Sequence, residues 1–196
     1  STGRNKVTVF NKPTMDAPSP AASGSGQALG DIRTRLKNVN LRNEESVLES
    51  LKPLVRASWQ CGGYGAQVTD RVIRIVDQMA QGLSLPQRDV QHIRRAALLA
   101  NLGFLSVPRE LLLQNGPLNA EERGLVQAHP WSSAEMVRDI AFLEPATRHI
   151  LCHHERFDGQ GYPRGLKGDD IPLGARMIFL AESFEAMVTP RPYRPQ

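Results

Sequence analysis

The chain has 196 residues, 40% of them hydrophobic and 22% charged, with a formal net charge of +4. This composition excludes a wholly disordered chain and a fibrous protein, and the length suffices for one domain with a sizeable core. No apolar run approaches the roughly 20 residues that span a bilayer, and the two cysteines do not make a disulfide framework. We therefore expect no membrane span and a reducing, cytoplasmic setting.

The basic excess belongs to the N-terminal third. Residues 1–60 hold nine basic and five acidic side chains, whereas residues 61–196 hold fifteen of each. Because no Lys/Arg run with interleaved aromatic residues occurs there, we expect no nucleic-acid partner. Residues 17–30 read APSPAASGSGQALG and offer no apolar face. We predict that residues 1–30 are flexible, or extended and held by a partner.

A helical lead-in is predicted over residues 31–60. Val47, Leu51 and Val55 lie one helical turn apart and form an apolar stripe. Pro53 lies inside this stripe, and because proline lacks a backbone N–H we expect it to kink or break the helix.

Helical periodicity continues through residues 61–196. Apolar side chains recur at steps of one, three and four from Val68 to Leu83, which is the pattern of an amphipathic helix. Further helix starts are indicated by a proline or a capping residue at Pro86, Asn119, Ser133, Pro145 and Pro172. Because no segment alternates with a period of two, we predict an all-α bundle.

Three of the five histidines lie within six residues, at His149, His153 and His154. Neutral imidazole binds Zn, Fe or Mn, so the cluster indicates a metal site. The alternative is a set of surface or capping histidines near a helix C-terminus, where a cation is favoured. His149 and His153 would share one helix face. His153 and His154 would diverge by about 100° unless the helix ends or distorts there.

Two carboxylates, Glu182 and Glu185, lie three residues apart in an apolar helical segment. A carboxylate in an apolar segment needs a partner for its charge, and the candidates are a metal, a histidine or an arginine such as Arg176. A solvated pair on an exposed stripe is the equally open alternative.

The most distinctive string is DGQGYP at Asp158–Pro163. Its glycines frame a tight turn, Tyr162 gives it a stiff aromatic edge, and its backbone N–H groups could face an anion. Arg191 and Arg194 add two guanidinium groups that suit phosphate recognition, unless they belong to an exposed basic tail.

The residues from His153 to Leu166, HHERFDGQGYPRGL, resemble the signature of the HD-GYP domains, which are all-α bacterial domains of the HD superfamily. The resemblance stays in register over roughly residues 64–196. It implies an HD-type helical bundle over residues 61–196, and the family hydrolyses cyclic di-GMP at a bi- or trinuclear iron or manganese site. The family pattern continues with more helix beyond Gln196, so the domain is expected to be truncated or completed by another chain.

Set against the family pattern, several parts of the catalytic machinery are replaced. Ala100 and Asn101 stand where the family has its His-Asp pair, and Phe104 stands where it has a lysine. The family's helix histidine is also missing, because Gln67 and Val68 precede the Arg-Val pair that marks its place. The resemblance therefore implies degenerate positions at Ala100, Asn101 and Phe104.

These replacements remove chemistry that hydrolysis needs. A neutral Asn amide neither bridges two dications nor offsets their charge, and an apolar ring cannot stabilise phosphate charge. Losing one oxyanion-stabilising group alone costs ~10²–10³ in rate, so we expect no physiological hydrolysis and no catalytic residue. The ligands that remain are His129, His153, His154 and Glu182, the last one methylene longer than the family's Asp. They predict either no cofactor or a single divalent Zn, Fe or Mn.

The leading hypothesis is an inactive HD-GYP domain that acts as a binding or scaffold module in cyclic di-GMP-linked signalling. In one form, Tyr162, Arg191 and Arg194 bind cyclic di-GMP. In another, the glycine-tyrosine loop contacts a diguanylate-cyclase (GGDEF) domain or another signalling protein. The loop residues assigned to that contact are Asp158, Gly159, Gly161, Tyr162 and Pro163.

Two other hypotheses stay open. One is a residual metal-dependent cyclic di-GMP phosphodiesterase in which Glu182 and Glu185 compensate for the lost ligands. The other is a structural subunit of a larger bacterial assembly, docked through residues 1–30, which would order on binding.

Overall fold

The computed structural model of the chain describes Gly30, residues 44–65 and residues 67–189. The α-helices of these ranges are α1 Glu44–Cys61, α2 Val68–Gly82, α3 Gln87–Leu99, α4 Arg109–Leu112, α5 Ala120–Gln127, α6 His129–Val137, α7 Glu144–Leu151 and α8 Leu173–Val188. Three short 3₁₀ turns join them at Leu102–Ser106, Ala141–Leu143 and Gly168–Asp170. No strand occurs in these ranges, which confirms the predicted all-α bundle.

Several sequence predictions fall on positions outside these ranges. They are the segment 1–30 apart from Gly30, the lead-in over residues 31–43, Arg191 and Arg194. The division into residues 1–30, 31–60 and 61–196 therefore stays a prediction. Among the helices that the structure does describe, none is both long enough and apolar enough to cross a bilayer.

Helix α1 runs through Pro53 without a break, so the predicted interruption is wrong. The proline lies on the exposed side, whereas Val47, Leu51 and Val55 are buried in the core. Burying each such side chain contributes on the order of 1.5–3 kcal/mol, which is enough to offset the roughly 3 kcal/mol that an interior proline costs.

The predicted helix starts are confirmed at four of five positions. Pro86 and Pro172 directly precede α3 and α8, and Pro145 lies in the first turn of α7. At α5, the Asn119 side chain accepts from the Glu122 N–H while the Glu122 carboxylate accepts from the Asn119 N–H, both at 2.9 Å. This reciprocal pair is the capping box that the spacing predicted.

The predicted cap at Ser133 is wrong, because α6 begins at His129 and Ser133 is buried inside it. Its hydroxyl donates to the carbonyl of Ala100 at 2.6 Å and accepts from the N–H of Gly103 at 2.8 Å. A Cβ at Gly103 would lie 2.1 Å from the carbonyl oxygen of His129. Only glycine permits this approach, so α6 is fixed against the 3₁₀ turn Leu102–Ser106 by backbone contacts.

Helix α8 packs against α2, α3 and α7 and carries both candidate carboxylates. Its inner side buries Ala175, Ile178 and Ala181. Leu180 and Phe184 on the other side are about half exposed, at 57% and 49%. The inner side therefore fixes the rotation of the helix and directs Glu182 and Glu185 inward.

Candidate metal and nucleotide site

Three histidines from distant parts of the chain meet in one pocket. His129 is the first residue of α6, and His153 and His154 follow the end of α7 at Leu151. The ligand nitrogens of the three side chains all lie within 4.8 Å of one another. The adjacent His153 and His154 can converge because the regular helix has already ended, which is the condition that their spacing required.

The outward nitrogens of two of these rings are fixed by backbone carbonyls. Nδ1 of His129 lies 2.7 Å from the carbonyl oxygen of Val126, and Nδ1 of His153 lies 2.6 Å from that of Ile150. Because a carbonyl only accepts, each Nδ1 must carry the proton. Each Nε2 of the neutral rings is then an acceptor, and a carbonyl on the far nitrogen is the arrangement typical of metal-binding histidines.

The two Nε2 atoms of His129 and His153 face each other at 3.3 Å. Two lone pairs at this distance repel unless a cation lies between them. Two donors bound at 2.0–2.1 Å to one tetrahedral cation lie about 3.3 Å apart. The separation therefore fits a shared divalent metal.

The pocket keeps its imidazoles neutral. Burial lowers the pKa of His153 to about 4. Burial and the neighbouring His153 lower the pKa of His129 well below its ordinary value. Burial, with His153 and His129 nearby, does the same to His154. Neutral imidazole is the form that binds a metal, so the pocket needs no deprotonation of these rings at neutral pH.

Glu182 supplies an oxygen donor beside the histidines. Its Oε2 lies 3.9 Å from Nε2 of His153, and its Oε1 accepts a hydrogen bond from the amide of Asn101 at 2.6 Å. Burial raises the pKa of Glu182 to about 8, against the effect of the Asn101 hydrogen bond. A carboxyl so placed is costly to ionise alone and gains from a bound cation. The three imidazoles form the cluster whose ligand atoms all lie within 4.8 Å of one another, and they fit a single first-row divalent cation. Glu182 lies beside this cluster, with Oε2 on the side of His153.

Asn101 and Phe104 lie against the pocket on another side, and Ala100 directly precedes Asn101. Ala100 is fully buried in the core, and the Phe104 ring centre lies 4.2 Å from that of His129. Val68 is buried at the start of α2. The positions that the resemblance predicts to be degenerate thus hold apolar groups and one amide.

The second carboxylate of α8 does not join the histidines. Buried Glu185 accepts from Nε of Arg71 at 2.7 Å and from the hydroxyl of Thr189 at 3.2 Å. The arginine suggested for this role, Arg176, instead pairs with Asp169 at 2.8 Å. Arg71 was missed because it lies 114 residues from Glu185 and carries no local sequence signal.

The loop after the histidines is held by buried Glu155. Its two carboxylate oxygens accept from the backbone N–H groups of Arg164, at 2.6 Å, and Leu166, at 2.9 Å. A Cβ at Gly161 would lie 2.2 Å from the backbone nitrogen of Arg156, so this position requires glycine. These contacts give the loop a fixed shape that uses no metal.

Tyr162 connects this loop to the pocket. Its ring stacks on that of His154 with centres 4.8 Å apart and planes inclined by 22°. Its backbone N–H donates to the carbonyl of His154 at 3.1 Å. Asp158 and Pro163 are exposed at the outer side of the loop, whereas Gly159 and Gly161 are half-buried. The loop thus has an inner side at the metal ligands and an outer side in solvent.

His149 does not share a face with the metal-site histidines, contrary to the spacing argument. It lies in the last turn of α7, and a Cβ at Gly174 would approach its Nδ1 to 2.8 Å. Burial lowers its pKa to about 4. The helix ends before His153, so the four-residue spacing places the two rings in different surroundings.

This fold and this cluster define the class of protein. Residues 49–196 match the model of the HD domain family, so the chain belongs to that family.

The curated relatives of this chain are bacterial phosphodiesterases. It is 34% identical over 153 residues to "Cyclic di-GMP phosphodiesterase response regulator RpfG" of Xanthomonas campestris, covering 77% of this chain and 40% of that protein. It is 37% identical over 131 residues to "3'3'-cGAMP-specific phosphodiesterase 3" of Vibrio cholerae, covering 67% and 28%. It is 34% identical over 128 residues to a "Cyclic di-GMP phosphodiesterase" of Thermotoga maritima, covering 64% and 35%. The chain thus spans less than half the length of these relatives.

Proposed function

We propose that this chain is an HD-GYP-type signalling module that binds a cyclic dinucleotide at the histidine pocket and does not hydrolyse it. The observation that carries the proposal is the contact of Asn101 with Glu182, at 2.6 Å, at the place of the family's bridging aspartate. An amide that donates its N–H to this carboxylate offers no anionic oxygen there to hold a second cation.

The other replaced positions support the loss of hydrolysis. Phe104 packs on His129 and brings no positive charge to a phosphate, and Ala100 brings no ligand. Glu185 is paired with Arg71, so it does not take the place of a missing ligand. Each missing group that stabilises transition-state charge costs ~10²–10³ in rate, and several are missing together.

The retained half of the pocket supports binding. One bound divalent cation would give a phosphate oxygen an electrophilic contact beside His129, His153 and His154. Tyr162 lies at the edge of the same pocket, and Arg191 and Arg194 follow α8 in the sequence. The names of the relatives give cyclic di-GMP and 3'3'-cGAMP, so the proposed ligand class is a 3',3'-cyclic dinucleotide that contains guanine.

The fixed loop favours a second role in protein contact. Glu155 holds the loop through two backbone N–H groups without any help from the metal site. We propose that its outer side, with Asp158 and Pro163 exposed, meets a GGDEF domain or another signalling protein. This role needs no catalytic residue, which agrees with an intact loop beside a replaced catalytic wall.

Equilibrium dialysis with Mn²⁺ against cyclic di-GMP, and separately against 3'3'-cGAMP, tests the main proposal. The nucleotide is recovered and analysed by chromatography. We expect retained, intact nucleotide, and a weaker binding in the Arg191→Ala and Arg194→Ala variants. Linear dinucleotide or mononucleotide products would overturn the proposal in favour of a residual phosphodiesterase. Absence of both retention and product would leave only the protein-contact role.

A further inference from the structure

One hydrogen bond joins the replaced wall of the pocket to the metal-binding wall. Asn101 follows α3 and Glu182 belongs to α8, and 81 residues separate them in the chain. Asn101 is 2% exposed and the Glu182 side chain 11%. Breaking this hydrogen bond is unfavourable, because each buried group would then be left without this partner.

The contact assigns different roles to the two oxygens of Glu182. Oε1 accepts from the Asn101 amide at 2.6 Å, while Oε2 lies on the histidine side, 3.9 Å from Nε2 of His153. At this distance Oε2 makes no hydrogen bond to the ring. It therefore stays available as a donor beside the facing nitrogens of His129 and His153.

An ion pair on α8 restrains the helix beside Glu182. Glu185, one helical turn beyond Glu182, is held by Arg71 of α2. Because α8 cannot rotate without breaking this pair, the Glu182 backbone is fixed and only its side-chain torsions remain. The Asn101 amide then selects among those torsions.

We infer that Asn101 is a positioning residue that holds Glu182 as the fourth donor of a one-cation centre with His129, His153 and His154. Asn101 acts through Glu182 and does not itself ligate the cation. The inference goes beyond the proposed function and requires no nucleotide binding. It implies that substitution of Asn101 weakens cation binding only when the Glu182 carboxylate is present.

Titration of the chelator-treated protein with Co²⁺ tests this inference. The readouts are the dissociation constant and the visible spectrum, which is intense for a four-coordinate ion. Asn101→Leu keeps the shape of the side chain and removes its donor, and Asn101→Ala is the second variant if leucine does not fold. Each is made alone and in combination with Glu182→Gln. Asn119→Ala is the matched control, because it removes an asparagine whose role in the α5 cap is structural.

We expect the unmodified protein to bind one Co²⁺ with a four-coordinate spectrum. Asn101→Leu should weaken binding by about 10–100-fold and alter the spectrum, as is typical when a group that orients a ligand is lost. In the Glu182→Gln background it should cause no further loss. Asn119→Ala should lower thermal stability and leave Co²⁺ binding unchanged.

Three results would overturn the inference. The first is an Asn101→Leu protein with the Co²⁺ affinity and spectrum of the unmodified one. The second is an Asn101→Leu substitution that weakens Co²⁺ binding equally with and without the Glu182 carboxylate. The third is an unmodified protein that binds no Co²⁺. If Co²⁺ behaves as expected but no cyclic dinucleotide is retained, the proposed function fails and the role of Asn101 stands.

Discussion

The two walls of the pocket differ in chemistry. The wall made by α6, the end of α7 and the following loop keeps its ligands together with the groups that orient them, such as the carbonyl on His153 and the carboxylate of Glu155. The wall made by the end of α3 and the 3₁₀ turn presents Ala100 and Phe104. The candidate cation donors therefore lie on one wall, and apolar side chains occupy the other.

Backbone contacts hold the second wall against the first. Ser133 bonds the carbonyl of Ala100 and the N–H of Gly103, and Gly103 lies against the carbonyl of His129. None of these contacts uses the side chain of Ala100, Asn101 or Phe104. Substitution at those positions can alter the chemistry while α6 keeps its place.

The largest expected effect comes from breaking that shared backbone contact. Gly103→Ala places a Cβ against the His129 carbonyl and should cost about 3 kcal/mol of unfolding free energy, since both walls must shift. Denaturant unfolding measures the loss. Gly124→Ala is the control, because a Cβ there meets nothing within 4 Å and should stabilise α5 by about 0.5–1 kcal/mol. Equal effects from the two variants would contradict the argument.

Removing one ligand should abolish stabilisation by a metal. At a Zn²⁺ concentration 100 times its dissociation constant, binding to the folded state contributes about 2.7 kcal/mol, seen as a rise in melting temperature. His153→Ala should lose most of this rise, because its Nε2 lies at the centre of the cluster. His149→Ala should keep it. If both variants lost the rise in melting temperature, either the metal would bind at another site or both substitutions would simply destabilise the fold.

The buried carboxyl predicts a fall in stability on the alkaline side. With metal removed, the raised pKa of Glu182, about 8, means that the folded protein holds a proton that the unfolded chain has lost. Glu182 alone should therefore lower the unfolding free energy by about 2 kcal/mol as the pH rises from 6.5 to 8.

The histidines act in the opposite direction at lower pH. Their pKa values are lowered on folding, to about 4 for His153, so the unfolded chain binds more protons between pH 4 and 6.5 and stability rises there. The maximum should lie near pH 7, where the proton held by folded Glu182 balances those still bound by the unfolded histidines. Glu182→Gln should remove the alkaline fall and keep the acid limb, as measured by denaturant unfolding across the pH range. An unchanged alkaline limb would mean that Glu182 is ionised in the folded protein.

The smallest effect is expected from restoring one charge to the replaced wall. Phe104→Lys removes a ring contact with His129 worth about 0.5–1.5 kcal/mol. It adds a cation at the edge of the histidine pocket. We expect roughly tenfold tighter binding of a cyclic dinucleotide in equilibrium dialysis, about 1.4 kcal/mol, without the appearance of hydrolysis products. Weaker binding would indicate that Phe104 itself contacts the ligand.

Much of the local structure could be predicted because its causes are local. The stripe from Val68 gave α2, the prolines before α3 and α8 marked their starts, and Asn119 with Glu122 made the capping box. The predictions failed where tertiary packing determined the local structure. Burial of α1 kept the helix whole at Pro53, and the packing of α6 used Ser133 for a contact between elements.

By itself, the sequence determined the helical class and the histidine-rich loop, and it predicted through the family resemblance that Ala100, Asn101 and Phe104 are replaced positions. Spacing along the chain carries this information, because helix faces and turns repeat over three to seven residues. Only the tertiary structure decided that Asn101 bonds Glu182 and that Arg71 takes Glu185, across 81 and 114 residues. Such pairs depend on which helices pack together and on how each helix is rotated. No local sequence pattern specifies these two properties.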